Sequence, residues 1–198
     1  MVTPVFFTKN QIDKIGNTLI YLATHIPNLN KTKLLKLLFF LEITAIKRSG
    51  FGFLNLSFDV WKLGPVAKDI FVELSFDEPT LLNHYIAVER DNRMAIINPK
   101  LAFNDDEFSD NDMLLLDLII EKYGALTANE LIRLTHNKHL IWYKTAQRAG
   151  LIDLFEQNRL SISDVEIDLS ETLEEDPEKR NFYLENKRFF DFSQSLKV

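Results

Sequence analysis

The densest apolar run of the chain lies at residues 34–46. Leu34, Leu37, Leu38, Leu41 and Ala45 fall at i, i+3, i+4, i+7 and i+11, which is one face of a helix. Leu35, Phe39, Phe40, Ile43 and Ile46 carry the apolar surface over more than half of the circumference. The spacing therefore predicts a central helix, packed from several sides. The run is too short for a bilayer span, which needs ~20 residues. Asn30 is placed to cap its start, and Gly50 and Gly52 end it.

The flanking pattern predicts further elements. Thr8-Lys9-Asn10-Gln11 is a capping box, and the helix after it sets Ile12, Ile15, Leu19, Leu22, Ala23 and Ile26 on one face. It should stop before Pro27 and lie beside the central helix as a hairpin. A β-type run at 58–61 leads into Gly64-Pro65, expected as a strand-to-helix corner with Pro65 in the first turn of a helix over 66–74. Trp61 is expected to pack over that corner with its indole N–H hydrogen-bonded. Runs at 85–89 and 93–97 flank Asp91-Asn92 as a β-hairpin that Pro99 closes, giving with 58–61 one small antiparallel sheet. Ser109 should cap a helix over 113–123, with Gly124 as its C′ residue. Thr127-Ala128-Asn129-Glu130 is a second capping box opening a short helix to His136, and a further helix holds Trp142 to Arg148 and ends at Gly150.

From residue 164 the character changes. Asp164, Glu166, Asp168, Glu171, Glu174, Glu175, Asp176 and Glu178 dominate, and read as a linker or exposed arm. Asp176-Pro177 can start a last helix, in which Phe182, Tyr183, Phe189 and Phe190 recur at i, i+1, i+7 and i+8, with Phe192 extending the stripe. This stripe docks either on its own domain or on a partner or second copy, which would make a homo-oligomer. The expected organisation is a domain over 1–165 and, over 166–198, an acidic arm with an amphipathic helix. Removing everything from Ser170 onward should leave the domain folded. The fold class is α+β: predominantly helical, with a small antiparallel sheet and a C-terminal helical arm.

Charge and chemistry narrow the function. The net charge of −6 divides unevenly, with a surplus of +3 over residues 1–100 and a deficit of −9 over 101–198. Such a molecule repels phosphate backbones and membrane surfaces, and suits a basic protein partner or simply stays soluble. The absence of cysteine excludes disulfides and fits a reducing cytoplasm. Residues 1–8 lack the pattern of a signal peptide. His136 and His139 form H-x-x-H without a third ligand nearby in sequence, so a capping or solvent-facing role is expected and no metal. No nucleophile elbow or phosphate loop is present, and no catalytic residue or cofactor is expected. Residues 126–151 could form a helix-turn-helix with Arg133, Lys138, Lys144 and Arg148, but the acidic balance argues against nucleic acid.

Two blocks carry a resemblance. The run Lys33-Leu34-Leu35-Lys36-Leu37-Leu38-Phe39-Phe40 is followed by Asp59, Trp61 and Lys62-Leu63-Gly64-Pro65-Val66. Then come Tyr123-Gly124, Ala128-Asn129-Glu130-Leu131, Thr135-His136 and Trp142-Tyr143-Lys144. Over roughly 10–165 the chain resembles the Panacea domain of SocA-like antitoxins, from bacterial and phage toxin–antitoxin pairs. The family more often has Glu at Asp59, and Pro at Ile141. The resemblance implies a non-enzymatic, phage-associated antitoxin that binds and neutralises a cognate toxin. The positions to test would be Asp59, Trp61, Lys62, Gly64, Pro65, Val66, Thr135, His136 and Trp142. The rival readings are a DNA-binding regulator of its own operon and an adaptor that delivers a partner to a protease.

Overall fold

A computed structural model of the chain describes residues 7–91 and 94–195. Its elements are α1 (Lys9–His25), α2 (Lys31–Ser49), β1 (Asp59–Trp61), β2 (Gly64–Val66), α3 (Lys68–Glu73), β3 (Ile86–Asp91) and β4 (Met94–Pro99). They continue with α4 (Asp110–Tyr123), α5 (Ala128–Thr135), α6 (Ile141–Arg148), α7 (Leu151–Glu156), a 3-10 turn (Leu169–Leu173) and α8 (Pro177–Ser195). The expected α+β class holds.

Helix α2 is the axis of the fold. Asn30 caps it by accepting the Lys33 N–H, and Gly50 ends it in a left-handed conformation at φ 75°. Its apolar residues from Leu34 to Ile46 are buried, and α3, α4, α5, β2, β4 and the 3-10 turn pack around it. Three ionisable side chains are buried with it. Lys33 donates to the Gly124 carbonyl at 2.6 Å, a cation at the C-terminal end of α4. Glu42 accepts the backbone N–H groups of Leu54 and Asn55 at 2.9 and 3.0 Å, which folds the chain after α2 back onto the helix. Burial pushes the Glu42 carboxyl up to about 7. Lys36 belongs to the site described below.

The expected capping boxes at Thr8–Gln11 and Thr127–Glu130 form, and Ser109, expected as a cap, also makes a box with Asp112, so that its helix begins at Asp110; each places a hydroxyl and an N3 side chain against unpaired first-turn N–H groups. Other expectations change. Helix α1 does not lie along α2 but packs on β4, β3 and α4. The connecting residues pair with β4 instead, through Ile97 N–H to Leu29 O at 2.9 Å and a bridge between Asn30 and Ile96. Gly124 has φ −62° and continues the right-handed turn rather than taking the left-handed C′ conformation. Helix α7 follows α6 across Gly150, which has φ 66°.

Two separate two-stranded sheets replace the single one expected. In one, β3 pairs antiparallel with β4, from Ile86 opposite Pro99 to Asp91 opposite Met94. Asn92 of the expected turn and Arg93 of the expected strand lie outside the described residues, as do residues 1–6. In the other, Gly64-Pro65-Val66 is not a strand-to-helix corner but the returning strand of a tight hairpin, Trp61 opposite Gly64 and Asp59 opposite Val66; α3 begins at Lys68.

The acidic segment also differs from expectation. Val60 N–H donates to Val165 O, Ile167 N–H to Phe58 O and Lys62 N–H to Ser161 O, so residues 161–167 run along the free edge of β1. Ile167, Leu169, Ser170 and Leu173 are buried, while Asp164, Glu166 and Asp168 face out. The stretch alternates with strand period and is pinned to the core, not free. Arg148 pairs with Glu171 and Lys144 with Glu174, tying it also to α6. Helix α8 buries Tyr183 and leaves Phe182, Phe189 and Phe192 exposed.

Candidate functional site

The hairpin β1–β2 stands between α2, α5 and α6, and it gathers most of the candidate residues at one place. Gly64 is its pivot. At φ 99° it holds a backbone conformation that a side chain strains. A Cβ there would lie 2.6 Å from Thr135 Oγ1 and 3.0 Å from Lys36 Cε, so there is no space for one either. Only glycine lets β2 approach α2 and α5 this closely. Pro65 follows opposite Val60, whose N–H turns away to Val165, so the missing proline N–H costs the ladder nothing. The Pro65 carbonyl accepts the Lys36 ammonium at 2.7 Å.

Lys36 is 1% exposed. Desolvation pulls its ammonium down from 10.5 to about 7. Thr135, also fully buried, closes the other side of Gly64, its hydroxyl donating to Ile132 O at 2.8 Å. His136 ends α5 and hydrogen-bonds the Lys62 backbone; burial first, then the Lys36 charge, lowers its imidazole to about 4. Its ring stacks on Trp142 with centroids 4.0 Å apart and planes within 3°. Trp142 is buried and lies parallel to Phe155 beyond. Ile141 is the first residue of α6, a position that accepts proline and isoleucine alike, so that departure from the family pattern leaves the turn intact.

Trp61, Lys62 and Leu63 face outward from the same hairpin. Trp61 packs edge-on against Phe71 at 4.7 Å. Its indole N–H is not hydrogen-bonded as expected: it is buried without a partner, as are the Trp142 indole N–H and His136 Nε2. Lys62 reaches Asn158 Oδ1, and Leu63 at the tip is 55% exposed. Beside the tip lies a groove of about 420 Å³, lined by Lys31, Leu35, Lys36, Trp61, Lys62, Leu63, Val66, Phe71 and Ile162 among others. Asp59 stands at the far end of β1, half-buried and facing Glu166 and Lys68. Burial is the main cause that raises its carboxyl, and Lys68 opposes it.

Thus Trp61, Lys62, Gly64, Pro65, Val66, Thr135, His136 and Trp142 meet around the hairpin, and Asp59 lies at its edge. Sequence reasoning missed Lys36, Lys31, Phe71 and Ile162. Lys36 carried a legible signal, a lysine amid the apolar positions of a central helix. Ile162 carried none, because its place depends on the 161–167 segment joining β1.

The arrangement is suited to holding a rigid surface turn. Among the described residues no group of three His, Asp or Glu side chains is placed to bind a metal ion. His139 is exposed and His136 is stacked away from it on Trp142. No helix of the described residues is long and apolar enough to cross a membrane.

The family model for "Antitoxin SocA-like, Panacea domain" matches residues 34–143. That span is narrower than the resemblance read from sequence, but it runs from α2 to the start of α6 and holds every candidate residue named from the sequence; Lys31 and Ile162 of the groove lie outside it. No curated protein and no solved structure gives a significant match. With more than half of its length matched, and the matched blocks meeting in one site, the chain belongs to the SocA-like antitoxin family and carries its Panacea domain.

Proposed function

We propose that this chain neutralises a partner toxin by direct protein–protein binding, covering the toxin's active region without a reaction of its own. Family membership supplies the class. The observation that carries the mechanism is the hairpin tip: Leu63 is exposed, with the half-buried Trp61 and Lys62 beside it, on a backbone that Gly64, Lys36 and Trp142 hold from behind. A preformed turn with an aromatic and an exposed apolar residue binds with little ordering cost.

The DNA-binding alternative is weakened by the same packing. Of the basic residues in its proposed helices, Lys144 pairs with Glu174 and Arg148 with Glu171, and Ile141 and Trp142 are buried. The test is co-expression with the adjacent open reading frame, scored for growth and co-purification. A neighbour that stops growth alone, with growth restored and a stable complex recovered in the presence of this chain, is the expected result. A harmless neighbour that does not co-elute would sink the antitoxin reading. Loss of the neighbour's polypeptide on co-expression, instead of its accumulation in the complex, would turn the reading to an adaptor for proteolysis.

A further inference from the structure

The groove beside the hairpin tip has a charge opposite to that of the molecule. Lys31, Lys36 and Lys62 line it, and no Asp or Glu does, although the chain carries a net −6. Among the described residues none of these three lysines is ion-paired with a carboxylate. Lys31 meets Ser75 Oγ and the Phe71 ring, Lys36 the Pro65 carbonyl, and Lys62 the Asn158 side-chain oxygen. Several cations elsewhere do the opposite: Lys14, Lys68, Lys144, Arg148 and Lys179 face carboxylates. Apart from Thr32 and Ser161 the remaining walls are apolar, with Leu35, Val66 and Phe71 inside and Leu63 and Ile162 at the rim, both more than half exposed.

We infer that this groove docks a segment of a partner protein that presents an apolar side chain next to a carboxylate. Its volume accommodates a few inserted side chains rather than a flat domain face. The apolar side chain would lie against Leu35, Leu63 and Val66, and the carboxylate would answer Lys31 and Lys62, with Lys36 buried behind them on the Pro65 carbonyl. A carboxylate there gains from a partly desolvated setting with no competing anion, while a basic segment is repelled. A nucleic-acid strand fits less well: the Lys31 ammonium covers the Phe71 ring at 4.0 Å, so that face is closed to base stacking. The acidic surplus of the chain as a whole suggests a basic partner, and the groove reverses that sign locally.

The inference rests on the antitoxin reading for its biological partner, but its test does not. Labelled short peptides of leucine, glutamate and serine would be titrated against the full chain, with peptides carrying lysine for glutamate, or serine for leucine, as controls. Binding would be followed by anisotropy and located by amide shifts. The leucine–glutamate peptide should bind about tenfold or more tighter than either control, with shifts at Trp61, Leu63 and the first turns of α2. Lys62→Glu and Leu63→Ser, both at the turn, should each weaken it by about tenfold while the fold is retained. Equal binding of the lysine peptide, tighter binding of a single-stranded oligonucleotide, shifts elsewhere, or no binding at all would overturn the inference. So would a self-associated chain that Leu63→Ser makes monomeric, since a second copy would then fill the groove. A harmless neighbour in co-expression would sink the antitoxin reading without touching the peptide result. Full rescue of growth by both variants would overturn the groove while leaving that reading in place.

Discussion

Within one hairpin, Trp61-Lys62-Leu63 and Gly64-Pro65-Val66 read as a single motif, yet the structure divides them. In the first triplet Leu63 is more than half exposed, while Lys62 and Trp61 are half-buried beside it. The second is buried, with Gly64 wedged against Thr135 and Lys36 and Pro65 holding the Lys36 ammonium. The first half carries the exposed tip; in the second, Gly64 and Pro65 fix where that tip stands, and Val66 lends its side chain to the wall of the groove beside it. A motif is thus no guide to which of its residues make contact, because the same local signature serves surface and scaffold.

The sharpest way to break this division is Trp142→Ala. It removes a buried ring stacked between His136 and Phe155, and should cost about 3–5 kcal/mol, read by urea denaturation. A fully stable variant that fails to neutralise would move Trp142 to the contact side. Gly64→Ala should come next, at about 2–4 kcal/mol from positive φ and two close contacts, lowering the thermal midpoint and with it neutralisation. An unchanged midpoint would remove the pivot role assigned here.

The C-terminal segment extends the comparison. Ending the chain at residue 160 strips the edge of β1 and exposes the core faces that Ile167, Leu169 and Leu173 cover, so the cooperative thermal transition should be lost. Ending it at residue 176 removes α8 but keeps that edge, and a folded, less stable domain is expected. If the shorter chain melts cooperatively at the same temperature, 1–165 is a self-sufficient domain and the pinned segment is dispensable. At the hairpin tip, Leu63→Ser should change stability by no more than about 0.5 kcal/mol while weakening the partner complex.

The smallest effect concerns pH. Folded Glu42 sits near 7 against 4.5 when free, so between these values the folded chain keeps a proton that the unfolded chain has lost, and stability falls as pH rises. Folded His136 sits near 4 against 6.5 when free, so the unfolded chain takes its proton first and stability falls as pH drops from 6.5 to 4. Relative to the unsubstituted chain, Glu42→Gln should therefore gain stability as pH rises from 4.5 to 7. His136→Asn should lose relative stability as pH rises from 4 to 6.5. Parallel difference curves from urea titrations would contradict both assignments.

Local rules were legible where their partners lie close in sequence. The capping boxes at Thr8 and Thr127, the Ser109 and Asn30 caps and the stop before Pro27 all follow from groups within one turn of each other. The site was half legible. The two motif blocks could be named, but that Thr135 meets Gly64 follows from where α5 packs. The acidic stretch was misread because composition was weighed over period: Val165, Ile167 and Leu169 alternate with Asp164, Glu166 and Asp168, a strand signature beneath a charge run.

The sequence by itself determined the central helix, its ends and the family, since hydrophobic period and capping are local and a family motif is a string of residues. Tertiary structure alone decided that Gly64-Pro65-Val66 is a strand, that 161–167 completes its sheet, and that the lysines of α2 and the hairpin share one groove. Those outcomes depend on contacts between residues far apart in the chain, such as Phe58 with Ile167, where the energy of burying a face overrides what each segment prefers alone.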